Sequence, residues 1–184
     1  MKELTSYNRV AGYLNKMFDL LNAEFFESTL SRPTITIQST PRAYGHFSLQ
    51  ADTWVSKLGA THEINIGAGT LARPIEDVAA TLLHEMVHYY NYENGVKDCS
   101  RGNTYHNKRF KESAESHGLI VDYSQKYGWA HTSPSDKLLD FIATMPTGGR
   151  STPARRAFLV LTPKLQWKGN WPDETFNGLT MSGC

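Results

Sequence analysis

Residues 81–88 read Thr-Leu-Leu-His-Glu-Met-Val-His and contain the pattern His-Glu-x-x-His. Side chains four residues apart on a helix project from one face, so His84 and His88 can bind one metal ion from the same side. Neutral imidazoles are ligands of Zn²⁺. Glu85 lies beside the pair, where its carboxylate can take a proton from water instead of binding the metal. The stretch therefore predicts zinc-assisted hydrolysis.

The residues around this motif predict one long helix over 74–94. Pro74 suits the first helical position, where its missing N–H costs nothing, and Glu76 and Asp77 suit the first turn, where the helix dipole favours anions. Gly95 is a suitable residue just past the end. The helix carries a broad apolar stripe made of Ala79, Leu82, Leu83, Met86, Val87 and Tyr90. A helix this apolar is expected to be buried, and a catalytic zinc needs such a dry environment.

The residues before the motif helix predict one helix followed by three strands. Apolar residues at spacings of three and four indicate an amphipathic helix over 6–26. Alternating or short apolar patterns indicate strands over 34–38, 45–49 and 63–66, whereas residues 52–60 form a predicted polar connection. This order predicts the α+β class, with a small three-stranded sheet packed with helices.

The residues after the motif helix predict shorter elements. A polar, glycine-containing loop is expected over 95–105, a helix over 108–116, a short hairpin over 119–130 and a last helix over 135–143.

From Pro146 onward the character of the chain changes. Residues 146–184 are rich in glycine and proline and lack periodicity, so they predict a linker and an irregular tail, with one added strand over 158–161. The whole chain has a formal net charge of +1, but residues 147–184 carry five basic and two acidic side chains. The basic bias is thus confined to the tail, and the chain as a whole is not a polycation built to coat nucleic acid.

Cysteine content and hydropathy limit the cellular compartment that we expect for the protein. The chain has two cysteines, Cys99 and Cys184, and no Cys-x-x-Cys pair, which excludes a cysteine zinc ribbon. The N-terminus lacks the apolar run of a signal peptide, and no apolar stretch is long enough to span a bilayer. We therefore expect a soluble cytoplasmic protein with no membrane partner.

The motif alone does not identify the third metal ligand. A catalytic zinc usually has three protein ligands and an open position for water. The metzincin extension is excluded, because it requires glycine at position 91 and histidine at position 94, where this chain has Asn91 and Asn94. Four later residues remain as candidates: Glu112, Glu115, His106 and His117. Spacing does not decide among them.

A resemblance to a known family narrows the choice. The stretch Leu-Leu-His-Glu-Met-Val-His at 82–88, followed by a polar loop and then His-Asn-Lys-Arg-Phe at 106–110, resembles the SprT-like family of zinc metalloproteases. The preceding strands, with Ile-Thr-Ile, Tyr-Gly-His-Phe-Ser and Glu-Ile-Asn-Ile-Gly, are laid out as in that family. The resemblance covers about residues 8–143 and is closest to short SprT-like proteins of bacteria and their mobile elements.

The resemblance implies a zincin-like minimal metalloprotease fold over residues 1–145. It implies that His84, His88 and His106 bind Zn²⁺ and that Glu85 is the general base of a zinc metalloendopeptidase acting on a protein or peptide. The best-studied relatives are DNA-dependent proteases that degrade proteins crosslinked to DNA, so DNA is a partner by resemblance only. The chain departs from the family by lacking its frequent C-terminal cysteine ribbon, and its tail matches nothing in the family.

Two other functions remain open at this point. One is a non-proteolytic, zinc-containing, DNA-associated regulatory or binding protein, whose structural zinc would have four protein ligands. The other is a zinc hydrolase with a non-peptide substrate. Glu85 favours an enzyme, because a structural site has no use for a base there. We expect Tyr89 and Tyr105 to serve in packing, and His46 and His131 to be ordinary surface or hydrogen-bonded histidines.

Overall fold

A computed structural model describes residues 6–40, 43–50, 53–56 and 59–145 of the 184-residue chain. The predicted linker, tail and added strand of residues 146–184 lie outside the described residues, so the predicted domain division after residue 145 stays a prediction.

The predicted helices are all present, with boundaries shifted by one or two residues at most. They are α1 (Ser6–Phe25), α2 (Ile75–Glu93), α3 (Lys108–Ser116) and α4 (Asp136–Thr144), and a single 3₁₀ turn covers Ala68–Thr70. The apolar stripe of α1 is buried at Val10, Leu14, Met17, Phe18 and Leu21. In α2 the His-Glu-x-x-His stretch occupies the middle of the helix, and every residue from Val78 to Tyr89 is buried.

The strands within the described residues number nine. They are β1 (Thr34–Gln38), β2 (Gly45–Phe47), β3 (Trp54–Ser56), β4 (Gly59–Thr61), β5 (Glu63–Gly67), β6 (Cys99–Ser100), β7 (Tyr105–His106), β8 (Leu119–Ser124) and β9 (Gly128–Pro134). With the helices, they give an α+β protein, the class that the sequence predicts, and the strands form small sheets.

The first sheet is the predicted three-stranded one, with the order β1-β5-β2. Strand β5 pairs in parallel with β1 and antiparallel with β2. Ile64 and Ile66 are fully buried in the hydrophobic core, as their alternation predicts.

The other face of β5 is buried as well, although alternation predicts a half-buried strand. Glu63 and Asn65 are less than a tenth exposed, and hydrogen bonds satisfy both. The Thr36 hydroxyl donates to the Glu63 carboxylate, and Asn65 Oδ1 accepts from the Gln38 backbone N–H at 2.8 Å. Asn65 Nδ2 donates to Thr40 Oγ1 at 2.6 Å. The polar side chains of β5 can thus be buried, because β1 and the residues that follow it supply their hydrogen-bond partners.

The prediction of a polar connection over 52–60 is wrong. Strands β3 and β4 pair there as an antiparallel hairpin, with Trp54 opposite Thr61. Trp54 and Val55 are 44% and 77% exposed, so the hairpin has no buried face that would give its sequence a period of two.

The second sheet was predicted only in part. It has four strands in the order β6-β7-β9-β8, whereas the sequence predicts one short hairpin over 119–130 and a loop over 95–105. Strands β6 and β7 have two residues each, too short to show a pattern. β7 joins β9 through His106 and Gly128. Gly128 has a φ of +70°, and a Cβ atom there would lie 2.1 Å from the His106 carbonyl oxygen, so only glycine fits beside His106.

Helix α2 packs between the two sheets. It contacts β2 and β5 of the first sheet, β8 and β9 of the second, and the three other helices. The motif residues therefore lie where both sheets can supply neighbours to them. No helix among the described residues is long and apolar enough to cross a bilayer.

Candidate metal centre

Three buried histidines converge inside the protein. His84 and His88 project from the same face of α2, and His106 reaches them from β7. Their Nε2 atoms form a triangle, with 3.2 Å between His84 and His88, 3.3 Å between His84 and His106, and 3.0 Å between His88 and His106. The relative exposure of these residues is 2% or less.

This triangle can hold a metal ion. Donors about 2.0–2.1 Å from a tetrahedral Zn²⁺ are separated by about 3.3 Å, close to the observed Nε2 distances. Three imidazole nitrogens that face each other cannot all be satisfied by hydrogen bonds among themselves, whereas one shared cation can accept all three lone pairs. Imidazole nitrogen suits Zn, Cu, Fe and Ni, so the type of donor atom does not by itself identify the ion.

The protonation states also suit a metal. Burial lowers the pKa of His84 well below its ordinary value, and its two histidine neighbours lower it further. Burial, reinforced by the charge of His88, lowers the pKa of His106 to about 2, and only the Tyr127 carbonyl opposes this. Both imidazoles are therefore neutral near pH 7, which is the state that binds metals.

Hydrogen bonds orient two of the three rings. His88 Nδ1 lies 2.8 Å from Asp98 Oδ2, which also accepts from Asn91 Nδ2 at 2.9 Å. His84 Nδ1 lies 3.0 Å from Thr132 Oγ1 in β9. An Nδ1–H that donates to the Asp98 carboxylate leaves the Nε2 lone pair of His88 directed into the triangle. Asp98 therefore sets the tautomer that a metal requires at His88, and the Thr132 hydroxyl can accept from the same tautomer of His84.

Packing fixes the third ring. His106 Nδ1 is buried and makes no hydrogen bond of normal geometry, so the orientation of the ring depends on packing by its neighbours. The Phe110 ring lies 4.5–4.6 Å, centroid to centroid, from all three histidine rings. Phe110 is fully buried in the first turn of α3, whose N-terminus is capped by the Asn107 side chain. The short segment from His106 to Phe110 thus holds both a histidine and the ring that supports it.

Glu85 is fully buried beside the triangle. Neither carboxylate oxygen makes a hydrogen bond of normal geometry. Burial raises the pKa of Glu85 well above its ordinary value, and the Asp98 charge adds to this, whereas the nearby Phe47 backbone N–H opposes it. A cation on the histidines would favour the charged carboxylate. A fully buried carboxyl group with a raised pKa, one residue from a histidine of the triangle, has the character of a proton-transfer group.

Gly45 of β2 lies against Glu85. A Cβ atom at position 45 would lie 2.9 Å from Glu85 Oε1 and 2.9 Å from the Asn65 backbone oxygen. The backbone of β2 therefore approaches the Glu85 carboxylate as closely as a glycine permits.

We expect Gly45→Ala to lower the free energy of unfolding by about 1–3 kcal/mol, because either β2 or Glu85 must shift. Urea denaturation followed by circular dichroism measures the change. The matched control is Gly12→Ala in α1, where a Cβ atom meets nothing within 4 Å. That change should instead raise the stability by about 0.5–1 kcal/mol. If Gly45→Ala were as stable as wild type, the close approach of the β2 backbone to the Glu85 carboxylate would be contradicted.

The other candidates for the third ligand lie elsewhere. Glu112 and Glu115 are exposed, and Glu115 pairs with Lys111 at 3.5 Å. His117 stacks on the Phe26 ring at 4.4 Å, and its Nδ1 contacts the Ser113 carbonyl oxygen at 2.7 Å.

The remaining side chains singled out in the sequence also lie outside the triangle. Tyr89 packs on Phe47 with ring centroids 5.2 Å apart, and Tyr105 contacts the Tyr123 hydroxyl at 3.4 Å. His46 is half-buried in β2, and His131 is exposed in β9.

Sequence reasoning missed Asp98, Thr132 and Gly45. Their distances along the chain from the site residues that they contact depend on loop and strand lengths, so no spacing identifies them. A second buried group, made of His88, Asp98 and Cys99, also places ligand-type atoms within 4.8 Å of one another. Since His88 and Asp98 already share a hydrogen bond, we assign Asp98 an orienting role.

Comparison with known proteins gives one match. Residues 14–126 match the model of the SprT-like family, which is more than half of the 184 residues and includes α2, β7 and α3. No curated protein and no solved structure matches the chain significantly.

Proposed function

The chain belongs to the SprT-like family, and from that premise we propose that it is a zinc-dependent metallopeptidase with a zincin-like fold, in which Glu85 is the general base. The single observation that carries the proposal is the buried triangle of His84, His88 and His106 with the fully buried carboxyl group of Glu85 adjoining it. Membership of a family known for peptidases supports metal-assisted peptide hydrolysis. The imidazole donors of the site support the same reaction.

Three features support zinc as the metal. All three donors are imidazole nitrogens, their spacing fits tetrahedral coordination, and a three-histidine set leaves a fourth position open, as in catalytic zinc sites. Bound zinc supplies Lewis-acid chemistry, polarising a carbonyl oxygen and acidifying water.

Glu85 would perform the proton transfers. Its carboxylate accepts a proton from the attacking water while the water oxygen bonds to the peptide carbonyl carbon. When the C–N bond breaks, the same proton passes to the leaving amine. The burial of Glu85 keeps competing water away from the carboxyl group.

Strand β2 supports a polypeptide substrate. Among the described strands it is an outer strand of the first sheet, and its Gly45 and Phe47 backbone lies against Glu85. An extended peptide can add to such an edge through backbone hydrogen bonds, which bind any sequence. We place the scissile bond next to this edge. DNA-associated proteins as substrates enter the proposal through the family resemblance alone.

The test is cleavage of casein by the full chain, with and without single-stranded DNA. We expect hydrolysis that 1,10-phenanthroline abolishes and that added Zn²⁺ restores, because the metal is required for the reaction. Zinc binding at one ion per chain without cleavage of any protein would instead favour a non-proteolytic zinc protein, and cleavage that survives metal removal would overturn the proposal.

A further inference from the structure

A pocket with an apolar wall adjoins the metal triangle. Its volume is about 370 Å³, and it reaches His88, one of the three histidines of the triangle. The segment after β2, the C-terminal half of α2 and the two loops that flank β6 supply the rest of its lining, which includes Leu49, Tyr92, Val96, Lys97 and Asn103. The pocket therefore lies beside both the metal site and the end of strand β2.

Three apolar side chains form the wall of this pocket. Leu49 is 38% exposed and Tyr92 is 42% exposed, although both are large and hydrophobic. Val96 is half-buried in the same wall. Ligand pockets typically combine apolar walls of this kind with a small number of polar groups. An apolar group that enters the pocket would remove part of this surface from water, which favours its binding.

The charged groups of the pocket do not favour a charged ligand. The Asp98 carboxylate is buried and already accepts hydrogen bonds from His88 and Asn91. Lys97, next to it in the chain, is exposed to solvent. An acidic ligand would be repelled by Asp98 and a basic ligand by Lys97, so a neutral ligand is the best match.

Strand β2 connects the pocket to the proposed reaction site. Gly45 and Phe47 lie against Glu85 through their backbone, and Leu49 follows Phe47 by two residues. Two residues span at most about 7 Å along the chain. A peptide paired with the β2 edge would thus place a side chain at the pocket within two residues of the bond next to Glu85. The pocket is therefore close enough to select which bond is cut.

We propose that this pocket binds a neutral apolar side chain, such as that of leucine or phenylalanine, within two residues of the scissile bond of a polypeptide. The inference rests on the proposed peptidase function and adds the residue type that directs cleavage. Leu49 is the specificity-determining residue, because it belongs both to the segment that continues β2 and to the wall of the pocket.

The sites at which the full zinc-loaded chain cleaves casein test this specificity. Mass spectrometry of the products should show leucine, methionine or phenylalanine at one fixed position within two residues of most cleaved bonds. In quenched peptides, leucine at that position should raise kcat/KM over asparagine, which has a similar shape, by about 10- to 200-fold. Leu49→Asn should reduce this ratio about tenfold, chiefly by raising KM for the leucine peptide.

Peptide binding without cleavage gives an independent readout. The protein is the zinc-loaded Glu85→Gln chain, and the probes are labelled glycine–serine peptides with one central leucine, asparagine, lysine or glutamate. Fluorescence anisotropy should show the tightest binding for the leucine peptide, and Leu49→Asn in the same chain should abolish that preference. The matched control is Leu139→Asn, which makes the same change on α4 at an exposure of 37% and should keep the preference. Both leucines are more than a third exposed, so both variants should fold.

The two readouts separate the pocket from the peptidase. The pocket proposal is overturned if casein is cleaved with no apolar preference at these positions, if the lysine or glutamate peptide binds best, or if Leu49→Asn behaves like Leu139→Asn. In the first of these cases the proposed peptidase stands. If no protein is cleaved but the leucine peptide still binds through Leu49, the peptidase fails and the pocket stands as a peptide-binding site.

Discussion

Glu85→Gln is expected to lower casein cleavage by about 10²- to 10⁴-fold while leaving the metal bound, because it removes a general base and no ligand. The substitution preserves the shape of a fully buried side chain, so the packing of β2 against α2 should persist. Cleavage rates, together with zinc content by atomic absorption, measure the two effects separately.

The matched control for this variant is Glu112→Gln. It makes the same chemical change on an exposed face of α3 and should cleave like wild type. If Glu85→Gln retains zinc and cleaves as fast as wild type, the general-base assignment is wrong. If the Glu85→Gln variant loses zinc, Glu85 contributes to metal binding as well as to proton transfer.

His106→Ala is expected to weaken zinc binding by more than about 100-fold, because loss of an orienting partner alone costs about 10–100-fold and this change removes a donor. At saturating zinc the wild type should gain stability from the metal, and a 100-fold excess over the dissociation constant corresponds to about 2.7 kcal/mol. The variant should lose most of that gain. Competition with a chelating dye gives the affinity, and urea denaturation with and without zinc gives the stability.

His117→Ala is the matched control for His106→Ala. His117 is the rival histidine from the sequence, and its ring packs on Phe26 away from the triangle. Its loss should leave zinc affinity unchanged. A His106→Ala protein that keeps full zinc affinity would contradict the assignment of the third ligand.

The local part of the site was predictable from the sequence, and the part formed by tertiary contacts was not. Spacing places His84 and His88 on one helical face whatever the rest of the fold does, and Pro74, Glu76 and Gly95 mark the helix. The position of His106 depends on a two-residue strand beside Gly128, which no local pattern shows. Resemblance to a family singled out His106, where spacing left four candidates.

The residues that support the site were beyond sequence reasoning for the same reason. Asp98 reaches His88 from a loop, and Thr132 reaches His84 from a strand 48 residues away. Similarly, the hairpin of β3 and β4 buries neither of its large side chains, so hydrophobic alternation could not reveal it. Hydrophobic periodicity detects elements with a buried face, whereas polar contacts between elements appear only in the folded structure.

The coordination of the bound metal tests the central claim most directly. X-ray absorption at the zinc edge of the zinc-loaded chain, combined with its crystal structure, should show one Zn²⁺ per chain bound by Nε2 of His84, His88 and His106, with water in the fourth position. A fourth protein ligand, such as an oxygen of Asp98, would define a closed structural site and contradict the account.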